Sequence, residues 1–127
     1  MIIDADLSAV DEGVWGEFDG SKFRIAHMSN TKFQRALARG QQPHMRKINE
    51  GRLDPEVNKR ILCQAMAEGI VVDWSDVKNR AGENVPYSVK AANMLLQGNP
   101  EFRDYVSDFA LNFSHYREEE VTELGND

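Results

Sequence analysis

The side chains best suited to chemistry in this 127-residue sequence are Cys63, the histidines His27, His44 and His115, and the carboxylates Asp73, Asp76 and Glu83. A cysteine becomes a nucleophile when a histidine and an Asn or Asp converge on it and favour the thiolate. Cys63 instead has Leu62 and Met66 as neighbours, so a small, buried, apolar side chain is the preferred account. With the three histidines it could complete a zinc site, but no CxxC or HxxxH spacing organises the four residues. Asp73, Asp76 and Glu83 could share a proton or hold a divalent cation. Their spacing does not match an EF-hand loop, and a polar loop with Trp74 packed beneath it is preferred. Gly13, Gly16 and Gly20 lack phosphate-loop spacing and no Gly-Lys-Ser/Thr follows, so they read as hairpin glycines. No catalytic set, metal site or cofactor site is therefore expected. A non-enzymatic protein that works by binding other proteins is.

Two features could supply the binding surface. The first is an aromatic stripe, Phe102, Tyr105, Phe109, Phe113 and Tyr116, at helical spacing near the C-terminus. As a core face it would be enough to seal a small domain. If its end near Phe113 and Tyr116 extends past the domain body, it would bind another subunit or an amphipathic helix, and it is also a candidate for self-association. The second is a basic cluster, Arg35, Arg39, Arg46, Lys47 and Arg52, in a stretch with no acid between Asn30 and Asn49. A solvated face, or a face for acidic protein, is preferred there over nucleic acid.

The elements that must position these residues are legible in outline. Val14-Trp15-Gly16-Glu17-Phe18 and Phe23-Arg24-Ile25-Ala26-His27-Met28 are β-favouring runs around Asp19-Gly20, a strong hairpin signal. Alternation puts Val14, Gly16 and Phe18 on one face of the first strand, with Trp15 and Glu17 on the other. In the second, Phe23, Ile25 and His27 share a face, and Arg24, Ala26 and Met28 take the opposite one. Ser29-Asn30-Thr31 can cap a helix over residues 31–39, with Gly40 as its stop, and a short helical turn covers residues 45–49. Asp54-Pro55 starts the clearest helix, over about residues 55–72. Gly69 within it costs roughly 1 kcal/mol relative to Ala, which points to close packing or an early end there. Asp73 to Val77 leads into a loop over Asn79 to Asn84, Ser88 caps a helix ended by Gly98, and Asn99-Pro100 opens a last helix over about residues 102–116. The expected fold is mainly α with a small N-terminal β-hairpin (α+β), four to five helices packed around one core. Residues 1–12 form a flexible segment or an edge strand, residues 13–117 a single globular domain, and residues 118–127 an acidic tail.

Composition agrees with one modest core. Hydrophobic residues make up 41% and charged residues 28%, which is globular rather than disordered. A chain of this size buries roughly 65% of its unfolded surface. The lone cysteine cannot form an intramolecular disulfide and fits a reducing compartment. No apolar run approaches the roughly 18 residues of a membrane span, and residues 1–6 lack a signal-peptide pattern. A net charge of −6 argues against nucleic acid as the main partner.

Landmarks recur in a recognisable order: Gly13-Val14-Trp15; Phe23-Arg24-Ile25-Ala26 followed by Asn30-Thr31-Lys32-Phe33; Ile70-Val71-Val72-Asp73-Trp74; Val85-Pro86-Tyr87-Ser88; and Asn99-Pro100-Glu101-Phe102-Arg103. In these the chain resembles the tail assembly chaperone family of long-tailed (siphovirus-like) bacteriophages and prophages, from about residue 13 to residue 116. The resemblance implies a non-enzymatic role in the cytoplasm of the bacterial host. Such a protein binds the tape measure protein and helps recruit major tail tube protein subunits during tail morphogenesis. The family has no catalytic residues to carry over. The competing account from a different class is a structural minor tail or head-tail completion protein retained in the virion. A third is a small enzyme or metal-binding regulator built on His27, His44 and Cys63.

Overall fold

Asp19 and Gly20 turn strand β1 (Val14–Phe18) into β2 (Ser21–Ile25), both with positive φ, 51° and 80°. This is the primed two-residue turn whose twist matches the strands it joins, and Phe18 lies directly across from Ser21. The computed structural model describes residues 7–116, apart from the side chains of Leu7 and Phe113. Along the hairpin the alternation holds as far as Ile25. Phe23 and Ile25 are buried, with Val14, Gly16 and Phe18 half-buried beside them. Trp15, Glu17 and Lys22 face outward. The pattern then breaks: Ala26 and His27 are both buried, and the Ala26 amide donates to the Ile70 carbonyl (2.8 Å).

That bond marks a third strand. β3 (Val71–Ser75) pairs antiparallel with β2, giving the order β1-β2-β3, with an irregularity between Arg24 and Ile25. Residues 71–75 are thus strand, where the sequence suggested the end of a helix and the lead into a loop. The helix before them, α4 (Pro55–Gly69), stops at Gly69 because that residue lies against the backbone of Phe33. A Cβ at Gly69 would sit 2.5 Å from the Phe33 nitrogen and 2.6 Å from its Cα. Ile70 and Val71 are fully buried, so their spacing fits a helix face and a buried strand equally well. The free edge of β2 decides for the strand.

The helices start where the capping chemistry predicts. Asp54, Ser88 and Asn99 accept from the amides of Glu56 (2.9 Å), Ala91 (3.0 Å) and Phe102 (3.0 Å). They open α4, α5 (Val89–Gly98) and α6 (Pro100–Leu111). Asn30 caps α2 (Thr31–Gln41), which runs through Gly40 instead of ending there and continues by a 3-10 turn into α3 (Met45–Asn49). Gly40 serves close packing: a Cβ there would meet Ile61 Cγ2 at 2.9 Å. At the other end, Leu7–Glu12 is a short helix, α1, not an edge strand; residues 1–6 and 117–127, with the first half of the predicted N-terminal segment and the whole acidic tail, lie outside the described residues.

α4 is the hub, packed on α2, α5 and β3, while α6 covers the inner face of β2. One core results, built from Phe23, Ile25, Met66, Leu96, Phe102 and Val106 with their neighbours. Each such large side chain contributes roughly 1.5–3 kcal/mol on burial. The fold is therefore the expected mainly helical α+β domain, enlarged by one strand.

Candidate functional site

The aromatic stripe does not stay on one helix. α6 ends at Leu111, and Asn112 turns the chain by leaving the helical region (φ −93°, ψ 101°). Its side-chain oxygen accepts from the Ser114 amide (3.0 Å) and hydroxyl (2.7 Å), which starts a 3-10 turn over Phe113–Tyr116. Tyr116 is carried back into the core. It is fully buried, and its hydroxyl donates to the Ile25 carbonyl (2.9 Å). Burial, and then the neighbouring Tyr105, push its phenol well above the usual value. Tyr116 thus follows the core-face reading of the stripe and not the alternative in which its end extends past the body as a partner-binding surface; the side chain of Phe113 lies outside the described residues.

The rest of the stripe divides in two. Phe102 is buried and packs on Phe23 (ring centroids 4.6 Å) and Phe18 (5.6 Å). Tyr105 and Phe109 are half-buried, lie 5.9 Å apart, and form a ledge behind β1. Gly16 is what lets the strand rest on that ledge, since a Cβ there would run into the Tyr105 hydroxyl and the Phe109 ring. Gly16 is thus a close-approach glycine, not a hairpin glycine. Phe109 also stacks face to face on exposed His115, at 4.0 Å and 4°. Burial, and then the Glu17 carboxylate, raise the Tyr105 phenol above its ordinary value.

The basic cluster is exposed throughout, but it is partly neutralised by acids from outside its own stretch. Arg39 pairs with Glu68 (3.1 Å), and Glu50 accepts from Arg52 (2.8 Å) and lies 3.8 Å from Arg46. Exposed pairs of this kind contribute about 0–1 kcal/mol each. The Glu68 carboxyl is held below its usual value by the Gln64 amide first and by Arg39 after it, against some cost of burial. Among the described residues no ion pair joins Arg35 or Lys47, so these two are the most available cations of the cluster.

The groups with chemical potential sit apart from one another. Cys63 is fully buried, and burial raises its thiol above the ordinary value despite nearby Arg103. His27 is buried at the corner between β2 and α2. Its Nδ1 accepts from the Ser29 amide (3.0 Å), and its burial lowers its pKa. Trp74 is buried under the loop that follows β3, its indole N–H donating to the Val85 carbonyl (2.8 Å). Among the described residues no three His, Cys, Asp or Glu side chains converge as a metal would need.

Two residues carry more than the sequence suggests. Asn30 is buried, and its side chain ties three elements together. It accepts from the Phe33 amide (2.9 Å) and donates to the carbonyls of His27 (2.6 Å) and Gly69 (2.9 Å). Trp15 stands 47% exposed on the outer sheet face, above a hollow of about 610 Å³ shared with Glu17, Lys22 and Ser75. Strand alternation was the available signal for Trp15, since it places an aromatic on the face opposite Phe18.

No helix among the described residues is long and apolar enough to cross a membrane. No curated protein and no solved structure matches the chain. A family model for the YdaY prophage protein matches residues 28–126, from the end of the hairpin corner through α6 and beyond. Since that match spans well over half of the 127 residues, and includes the capped helices and the tied Asn30 corner, the chain belongs to the YdaY prophage protein family.

Proposed function

We propose that this prophage protein is a tail assembly chaperone. It would bind the tape measure protein in the host cytoplasm and help recruit major tail tube subunits, without catalysing a reaction or using a cofactor. The observation that carries a binding role is the distribution of side chains. The nucleophile Cys63 and the base His27 are packed inside, while Trp15, Met94 (67% exposed) and Leu111 (61%) stand outside. A protein that shields an apolar helical partner needs exposed apolar side chains on a charged, soluble body. Membership in a prophage family and the ordered landmarks from Gly13 to Tyr116 supply the rest of the support.

The test is co-expression with the tape measure protein of the same prophage. A complex that co-purifies, and that weakens when Leu111→Asp or Met94→Asp is introduced, supports the role. If no complex forms, and deletion of the gene leaves tails of normal number and length, the proposal is wrong. Mass spectrometry of purified particles separates a transient chaperone from a retained minor tail or head-tail completion protein, which would be present in stoichiometric copies.

A further inference from the structure

We propose that two copies of this chain pair through the open edge of β1, joining their sheets into one six-stranded sheet. Self-pairing at this edge goes beyond the chaperone role and does not depend on it. β1 ends the sheet: it pairs with β2 on one side, and β3 takes the far edge of β2. In a two-residue hairpin the pair flanking the turn exchanges both hydrogen bonds, and the bonding alternates from there. Phe18, Gly16 and Val14 therefore bond to Ser21, Phe23 and Ile25. Trp15 and Glu17 point their amides and carbonyls away from β2. Among the described residues no backbone hydrogen bond outside the hairpin ladder reaches that edge.

Those two residues define the register. A two-fold axis through Gly16 sets Trp15 of one copy opposite Glu17 of the second, and Glu17 opposite Trp15. It is the arrangement that uses both outward residues of both copies, and like an isologous interface it is complementary to itself. A two-fold axis through Glu17 would instead face the two carboxylates. Charge on the outer face fits the Gly16 axis. One row of the joined sheet reads Asp73, Arg24, Trp15, then the second copy's Glu17, Lys22 and Ser75, following the observed pairing within each sheet. No like charges lie directly across the new seam, and each Glu17 keeps Lys22 beside it on β2. Under the sheet, the half-buried Tyr105 and Phe109 of each copy lie behind β1 and meet across the same seam.

Sedimentation equilibrium of the full chain from about 10 μM to about 1 mM reads the association. A concentration-dependent dimer is expected. Trp15→Glu, which sets like charges across the seam at Glu17, and Glu17→Pro, which removes an outward N–H unused by the hairpin, should each leave a monomer with wild-type circular dichroism. In a Cys63→Ala background, chains carrying Trp15→Cys and chains carrying Glu17→Cys are mixed in equal amounts under mild oxidation. They should cross-link to each other about tenfold faster than either does to itself, because only unlike positions come within disulfide reach. A wild-type chain that stays monomeric overturns the proposal and leaves the edge to a strand of another protein. So does a dimer that survives both edge substitutions, or a cross-link that favours like positions.

Discussion

Replacing Asn30 by alanine removes three hydrogen bonds at one corner: the cap on α2 and the donors to the His27 and Gly69 carbonyls. Loss of the cap costs about 1 kcal/mol. Each buried carbonyl that loses its donor adds about 0.5–1.5 kcal/mol. Together Asn30→Ala should cost about 2–4 kcal/mol, a large part of the 5–15 kcal/mol typical of a domain. For a chain of this length the melting temperature should fall by about 10 °C. Asn30→Asp separates the two roles. It keeps the acceptor that caps α2 but turns a carboxylate oxygen toward two carbonyls. Its folded-state pKa should therefore rise above its unfolded one. The variant is then less stable than wild type at neutral pH and regains stability as pH falls through that raised pKa, because the protonated acid can donate. Urea and thermal denaturation followed by circular dichroism, at one fixed protein concentration, measure both variants. If Asn30→Ala melts within about 1 °C of wild type, or Asn30→Asp matches wild type at neutral pH, the corner is not held by these bonds.

Gly69→Ala should be harsher than its single methyl group implies. Its Cβ would meet backbone atoms of Phe33, which cannot rotate away, so a loss of more than about 2 kcal/mol or failure to fold is expected by denaturation; near-wild-type stability would refute the close packing of α2 on α4. His27 makes stability depend on pH. Its folded pKa lies below the unfolded value near 6.5, so the unfolded chain takes up the proton first. The contribution is complete above that value and is lost as pH falls from it through the lowered folded pKa; the urea midpoint should drop across that window, and His27→Gln should flatten the drop. Cys63 should react with a thiol reagent only as fast as the chain opens, since burial both blocks access and disfavours the thiolate. Labelling at the rate of an exposed thiol would contradict its place in the core.

What was legible in the sequence was local. Asp19-Gly20, Asp54-Pro55, Ser88 and Asn99-Pro100 each carry their conformational preference within a few residues, so the hairpin and the helix starts could be placed from local sequence alone. The same holds for Cys63 and Trp74, whose apolar and turn-rich surroundings already suited a buried thiol and an indole under a loop. The prophage character also followed from ordered landmarks, and the family match agrees with it.

Tertiary structure decided what depended on residues far apart in the chain. Val71 and Trp74 became strand because β2 had a free edge to pair with, a fact that no window around residue 71 contains. Gly16, Gly40 and Gly69 look alike as breaks in a pattern. Only the facing Tyr105, Ile61 and Phe33 show that each is a point of close approach. Tyr116 keeps helical spacing with Phe109, yet one turn at Asn112 sends it inward to Ile25, 91 positions away in sequence. Periodicity records which residues want to be buried. It does not record against what, and that is why the sequence located the aromatic stripe while the fold chose which of its members remain on the surface.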